Sequence, residues 1–392
     1  MDASDVSNLI HRDLIDYKYG FSFSLGTVKF EVGSDFPEII TEIQHYLPEV
    51  LEYNFEIHKQ ITFQLDSSLE SKIRQICFEH GKQVKNKLDF TYKSYALEDE
   101  TVLYSSDIGF EGHDHAIIVS NSRYIVVGSK LTVQILRIPI RIVREIMLRV
   151  LENIGGCFTH GAAVSFDEGR KGAVIIGNNG SGKSTTMWNL VQQKDVWYIS
   201  NDRCILYLDD LSMYVYGWPL AIRLGMGTLH NSLITENLKK RKYCRPQEQD
   251  LWTQEFKDDK DAIRNWANRS KLEITPLEAK GIFGIQSRAS SRIDTLLLPE
   301  LKIGSGELQF IRANEEQINK VIQPNLREPQ DMDYLRGFLG LRQVDDTYLI
   351  KASKKIVNKF HNLSAWRIVG DPKYFSEGTE QLLNLIKRGV KS

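Results

Sequence analysis

The sequence predicts an α/β fold in its second half, behind an α+β unit. Three observations carry this. A short apolar, β-branched run, Ala173-Val174-Ile175-Ile176, leads into the glycine-rich Gly177-Asn178-Asn179-Gly180-Ser181-Gly182-Lys183-Ser184, and Thr185 to Val191 continues with helical composition. Residues ahead of it mix short alternating strand patterns with three helix patterns. Between the two stretches, Gly155-Gly156 interrupts the chain. The predicted domains are therefore residues 1–154, of no recognisable chemistry, and residues 155–392.

The first half reads as follows. Phe21 to Val32 alternates as a strand pair broken at Gly26. Asp35 caps a helix from Pro37 to about Leu51, with proline in its first turn. Ile57 to Leu65 is a strand, and Ser68 to His80 a helix ending at Gly81. Thr101–Ser105, Ala116–Ser120 and Tyr124–Val127 are short strands. Gln134 to Asn153 is one long amphipathic helix. His113 and His115 form either a metal pair or, without a third ligand, part of a polar loop; the loop is the preferred reading.

In the second half, Cys157 to Phe166 reads as one strand carrying His160-Gly161, paired as a hairpin with the strand before the glycine loop. Val196 to Ser200 is a strand ending in Asn201-Asp202. Cys204–Leu208 and Met213–Tyr216 flank Asp209-Asp210-Leu211-Ser212 as a hairpin. Asn237 to Lys242 is a basic run, either a docking patch or a solvated loop. Residues 245–270 are charged and weakly patterned, as in an insertion. Lys271 to Phe283 starts strand-like, and Ile293 to Leu298 is an apolar strand ending at Pro299. Asp331–Leu341 and Glu377–Lys387 have helix patterns.

Composition bounds the partners. The chain has 392 residues, enough for two or three domains, and a net charge of −1, so no basic field recruits nucleic acid. No run approaches the roughly 18 apolar residues of a membrane span. The acidic start, Met1-Asp2-Ala3-Ser4-Asp5, lacks the apolar core of a signal peptide. Cys77, Cys157, Cys204 and Cys244 form no C-x-x-C pair, which predicts a reducing, cytoplasmic setting without a zinc site. Association into a homo-oligomer is left open.

The chemistry lies in Gly177 to Ser184, which fits the phosphate-binding pattern G-x-x-x-x-G-K-[ST] in the strand–loop–helix context it requires. Glycines let successive backbone N–H groups approach phosphate oxygens, and the following helix turns its positive end to the same spot. Lys183 places a point charge on the β- and γ-phosphates, Ser184 ligates Mg²⁺ through its hydroxyl, and Thr185 continues the loop into the helix. Such a loop requires an acidic residue at a neighbouring strand end to fix the metal. Asp202 and Asp209 compete. Asp209 sits in hairpin-turn chemistry, whereas Asp202 follows the loop helix directly, as a parallel strand beside the loop would, and is preferred.

With His160-Gly161, the glycine loop and Asn201-Asp202 in this order, residues from about His160 to Leu229 resemble the HPr kinase/phosphorylase catalytic domain. That domain is related to phosphoenolpyruvate carboxykinases and includes stand-alone relatives near peptide-biosynthesis genes, such as lasso-peptide kinases. The resemblance implies a P-loop kinase fold of that type, binding ATP and Mg²⁺. Lys183, Ser184 and His160 match the family pattern, and Asp202 matches the second, metal-serving aspartate of an Asp-Asp pair. Asn201 stands in place of the first aspartate, which in the family serves the transferred proton with the histidine. An amide cannot take a proton near neutral pH. The resulting expectation is an ATP- and Mg²⁺-dependent kinase acting on a hydroxyl of a peptide, protein or small metabolite. In it His160 serves as base or hydrogen-bonding partner, and Asn201 orients the acceptor. The alternatives are an ATPase or a nucleotide-binding regulatory module. An L-S-G-G-Q-like signature and an N-K-x-D motif, which would mark a transport ATPase or a GTPase, are absent. Arg203, Arg223, Arg288 and Arg292 are candidates for steadying phosphate charge, or ordinary surface arginines.

Overall fold

The computed structural model describes residues 14–49, 57–87, 90–97, 100–106, 114–225, 227–228, 271–331 and 334–388. The basic run 237–242 and the charged stretch 245–270 lie outside these residues. The chain is mixed α/β, with several sheets. It divides into two compact units. One comprises residues 1–45, 51–154 and 329–345; the other comprises 46–50, 155–328 and 346–392.

The first unit runs β1 (Tyr19–Leu25), β2 (Val28–Ser34), α1 (Pro37–Tyr46), β3 (Ile57–Leu65), α2 (Ser67–His80), β4 (Lys82–Lys87), β5 (Phe90–Ala96), β6 (Thr101–Ser106), β7 (His115–Ser120), β8 (Arg123–Gly128), α3 (Val133–Leu136) and α4 (Ile138–Asn153). Its eight strands form one sheet in the order β1-β2-β3-β8-β7-β6-β5-β4. Asp66 caps α2 by accepting from Leu69 N at 2.9 Å. The long helix predicted over Gln134–Asn153 is interrupted at Arg137. Pro139 cannot donate a backbone N–H and is suited to the first turn of a new helix.

Two further expectations change here. His115 is not on a polar loop: it begins β7, is fully buried, and its Nε2 lies 2.9 Å from Tyr92 Oη. His113 lies outside the described residues. The helix predicted over Asp331–Leu341 is absent among the described residues of that stretch, where 334–341 is irregular. The backbone is engaged elsewhere. Fully buried Arg149 on α4 donates to the Leu335 carbonyl and to Tyr334 Oη (3.1 Å), and Phe338 N donates to Glu145 Oε1 at 3.2 Å. Bonds made to α4 side chains replace the ladder a helix would need.

In the second unit the order is β9 (Cys157–Thr159), β10 (Gly161–Phe166), β11 (Lys171–Ile176), α5 (Lys183–Val191), β12 (Trp197–Ser200), β13 (Cys204–Leu208), β14 (Met213–Gly217), β15 (Ile222–Gly225), β16 (Lys271–Ile274), α6 (Pro276–Phe283), β17 (Ser290–Ile293), β18 (Thr295–Leu301), β19 (Gln309–Arg312), α7 (Glu315–Ile322), α8 (Asp346–Phe360), β20 (Ser364–Gly370) and α9 (Phe375–Arg388). A six-stranded sheet, β12-β10-β11-β18-β20-β19, forms its centre. Period-two alternation gives this sheet two buried faces. Ala162, Val164, Ile175 and Leu297 face Met187 and Trp188 of α5, Leu382 and Ile386 of α9, and the β15–β16 ribbon. Ala163, Val174, Ile176 and Leu296 face the four-stranded sheet β17-β14-β13-β9 with α7 and α8.

Two topological facts position the site. The strand predicted over Cys157–Phe166 breaks at His160: β9 pairs with β13 in one sheet, and β10 pairs with β11 and β12 in the other. The His160 backbone N–H leaves both ladders and donates to Asn325 O at 2.8 Å. The strand ending at Asn201-Asp202 is not directly beside the loop strand either. β10 intervenes, antiparallel to both, and the parallel neighbour of β11 is β18. Among the described residues, no helix is long and apolar enough to cross a membrane.

Candidate active site

β11 delivers the chain into residues 177–182, and α5 carries it away. Gly180 and Gly182 have φ of 79° and 104°, conformations that glycine adopts without the Cβ penalty. Gly182 also has no room for a side chain: a Cβ would lie 2.5 Å from Leu301 Cδ1, at the end of β18. A Cβ on Gly177 would lie 2.5 Å from Ser181 Oγ. The loop is tied to β18 through Leu301 N, which donates to Ser181 O at 3.0 Å.

Lys183, the first residue of α5, folds its side chain back over this loop. Its buried Nζ donates to Gly177 O at 2.6 Å and Asn178 O at 3.1 Å. Burial pulls its pKa down to about 8, with Lys271 and Arg327 adding to the effect and Asp202 opposing it. Ser184 Oγ donates to Asn201 Oδ1 at 3.0 Å. Thr185 Oγ1 and Thr228 Oγ1 are 2.8 Å apart.

Across the loop stands His160, at the corner between the two sheets. Its Nε2 donates to Asn179 Oδ1 at 3.2 Å in the tautomer carrying that proton, and its Nδ1 is 3.6 Å from Asp202 Oδ1. Burial and then Lys183 hold its pKa below the ordinary 6.5, against the pull of Asp202. Asp202 adopts φ 72°, rare outside glycine, and this turns the carboxylate away from the β12 ladder and toward His160.

These groups border one cavity of about 560 Å³. Its walls include His160, Asn179, Gly180, Gly182, Lys183, Ser184, Thr185 and Asp202, together with Arg223, Lys271, Leu301, Lys302, Ile303 and Pro372. Asn201 is not on that wall. It is fully buried behind Ser184, with Nδ2 donating to Arg223 O at 3.4 Å. Asn201, expected to orient the acceptor, has both ends of its amide bonded inside the protein, to Ser184 Oγ and the Arg223 carbonyl. Asp209, the competing carboxylate, lies in the β13–β14 turn, where Oδ1 accepts from Leu211 N (2.9 Å) and Ser212 N (2.5 Å), and it does not border the cavity.

Of the four candidate arginines, Arg223 borders the cavity and pairs with Glu273 at 3.0 Å. Arg203 lies 3.8 Å from Asp202 Oδ2. Arg288 is packed over the Trp197 ring and bonded to Ser290 O, while Arg292 is exposed on β17 opposite Tyr214; neither borders the cavity. Sequence reasoning missed Lys271 and Leu301, at strand ends, Lys302, just past one, and Pro372, in the turn after β20, all without motif spacing. It also missed Arg327, whose charge acts on both His160 and Lys183.

The residues present fit a triphosphate. The loop offers two positive-φ glycines, a buried ammonium with two carbonyl partners, and the positive end of α5. Ser181 Oγ beneath it is buried with no partner among the described residues, leaving a polar atom in the cradle unsatisfied. Around a cation the fit is sparser: Ser184 Oγ spends its proton on Asn201 and keeps its lone pairs, and Asp202 supplies the carboxylate on the cavity wall. Among the described residues no cluster of three or more His, Cys, Asp or Glu groups has metal-binding geometry. Compared with models of known protein families and with curated proteins, the chain matches none.

Proposed function

We propose that the chain is an ATP- and Mg²⁺-dependent kinase, of the P-loop type found in HPr kinase/phosphorylase, that transfers the γ-phosphate to a hydroxyl of a peptide, protein or small metabolite. The observation that carries this reading is the Lys183 ammonium, buried over the Gly177 and Asn178 carbonyls at the wall of a cavity that its own loop helps enclose. An ammonium kept from water with two neutral acceptors favours an anion as its next partner.

The loop N–H groups, Lys183 and the α5 N-terminus bind the phosphates and hold them in line. Mg²⁺, which Ser184 and Asp202 would hold, supplies neutralisation of charge on the phosphates. His160 is neutral near pH 7, and with Nε2–H directed at Asn179 its Nδ1 is the atom able to accept the acceptor's proton. Asp202, 3.6 Å from that nitrogen, stabilises the resulting imidazolium. Leu301, Ile303 and Pro372 add apolar surface to the cavity wall.

A second reading, a nucleotide-binding regulatory module, is favoured by one observation: an amide, Asn201, stands behind Ser184. ADP release separates the readings. A kinase releases ADP only when a hydroxyl acceptor is present, an ATPase releases it without one, and a binding module releases none in either case. ADP release independent of any acceptor would overturn the kinase assignment.

A further inference from the structure

β9 lies between two antiparallel partners. On one side, Cys204 of β13 pairs with Thr159 and Ile205 with Phe158, so one step further brings Arg203 opposite His160. On the other side, Leu326 bridges Thr159, Arg327 N donates to Phe158 O at 2.8 Å, and Asn325 O accepts from His160 N. Side chains alternate along a strand, so residues two apart share a face with each other and with their cross-strand partners. This register sets Arg203 and Arg327 on the face that carries Phe158 and His160, one from each flanking segment.

Side-chain positions agree with the register. The Arg203 guanidinium carbon lies 5.9 Å from the Phe158 ring centre, and its Nε is 3.8 Å from Asp202 Oδ2. The other oxygen of that carboxylate is 3.6 Å from His160 Nδ1. Phe158 is itself buried against Trp218, with ring centres 5.0 Å apart, which fixes the platform under the guanidinium. Arg327 is half-buried, and its charge reaches both His160 and Lys183. His160 turns Nε2 to Asn179 of the phosphate loop and Nδ1 to Asp202, the carboxylate beside Arg203. A guanidinium holds five N–H donors in a planar fork, and it can add a carboxylate or phosphate oxygen to partners it already has, such as Pro324 O at 3.4 Å from Arg327 Nη1.

From this placement we infer that the acceptor carries a negative charge close to its hydroxyl, on a carboxylate or phosphate group, and that Arg203 and Arg327 recognise it. This rests on the kinase reading above and names the chemical class of its acceptor. Holding the anion between the two arginines brings the hydroxyl to His160. The hydroxyl then gives its proton to Nδ1, its oxygen bonds to the γ-phosphorus, and the bond from that phosphorus to the β–γ bridging oxygen breaks, leaving ADP.

The test uses the full chain, MgATP and two sets of acceptors graded in charge beside the hydroxyl. One set is glycerol, glycerate and glycerol 3-phosphate; the other is serine peptides with alanine, aspartate or phosphoserine next to the serine. Within a set, kcat/KM should favour an anionic member over the neutral one by about tenfold or more, the scale of a charged hydrogen bond. Whether the carboxylate or the phosphate wins identifies the group. Arg203→Gln and Arg327→Gln should each raise the KM of the preferred anionic acceptor by about tenfold or more, and the KM of MgATP by less. Arg203→Lys and Arg327→Lys, which keep the charge without the fork, should recover part of the loss. A merely structural role would weaken neutral and anionic acceptors alike. Neutral acceptors used as well as anionic ones, or arginine variants that keep the wild-type preference, would overturn this inference alone. Transfer to none of these acceptors by a protein that binds MgATP would overturn the kinase reading, and this inference with it.

Discussion

His160 Nδ1 stands 3.6 Å from Asp202 Oδ1, across a corner where one strand leaves its sheet for another. One of the pair donates its backbone N–H to Asn325 O instead of a strand, and the other has a φ of 72°. A positive φ at a non-glycine residue such as Asp202 costs roughly 1–3 kcal/mol and persists where the surroundings enforce it.

The first prediction follows from that pair. His160→Ala should lower phosphoryl transfer by about 10²–10⁴-fold at neutral pH, the usual range for general-base help. The His160 pKa lies below 6.5, so the wild-type rate should fall only as pH drops beneath that value, when the imidazole becomes protonated and can no longer accept. Rate against pH checks this: the acid limb should vanish in His160→Ala.

The two competing carboxylates give a second prediction. Asp202→Ala should abolish metal-dependent activity. Asp209→Ala removes two hydrogen bonds in an exposed turn, so it should cost about 1 kcal/mol of stability and leave the rate unchanged. Steady-state rates and denaturant midpoints for both variants separate them, and loss of activity only in Asp209→Ala would reverse the assignment.

Much of this was legible in the sequence. Gly177 to Ser184 was readable because every requirement of a phosphate loop is local: glycines for the turn, a lysine and a hydroxyl at the helix start, a β-branched strand before. His160, Asn201 and Asp202 were readable as site neighbours by chain order. Their division of labour was not. The resemblance gave Asn201 to the acceptor, and its side chain lies behind Ser184; Asp202, expected at the metal, also lies 3.6 Å from His160 Nδ1. Lys271, Lys302 and Leu301 reach the cavity only through strand pairing, between β15 and β16 and between β11 and β18, which no local pattern encodes. The irregular stretch 334–341 kept a helical pattern on paper because nothing local reveals that Arg149 and Glu145 take its backbone groups.

Lys183 supplies a pH dependence for ligand binding. Its pKa in the free protein is about 8, and a bound phosphate favours the charged ammonium. Below about 8 the amine is already protonated, so this group adds no pH dependence. Above it, binding must take up a proton, and affinity should fall by about tenfold per pH unit until the bound-state pKa is reached. Titrations with a nucleotide between pH 7 and 10, roughly the span set by the free and ordinary lysine values, should show this slope in wild type and not in Lys183→Ala.

Away from the site, Asp294 joins β17 to β18 with Oδ2 buried and without a partner among the described residues, and burial holds its pKa above 3.8. The folded state therefore binds more protons than the unfolded state between 3.8 and that raised value, and this group's contribution to stability falls as pH rises through the window. Asp294→Asn should raise the melting temperature at pH 7, by a free energy of about 1 kcal/mol, and the gain should shrink toward pH 4. Thermal melts at the two pH values check the sign.

Calorimetric titration of the wild-type protein and of Lys183→Ala with MgATP bears most directly on the central claim, that residues 177–184 grip a triphosphate. The account predicts saturable one-to-one binding to wild type and an affinity lower by about tenfold or more in a Lys183→Ala protein whose circular dichroism is unchanged, the scale of a lost charged hydrogen bond. Equal binding by both proteins, or none by the wild type, would contradict it.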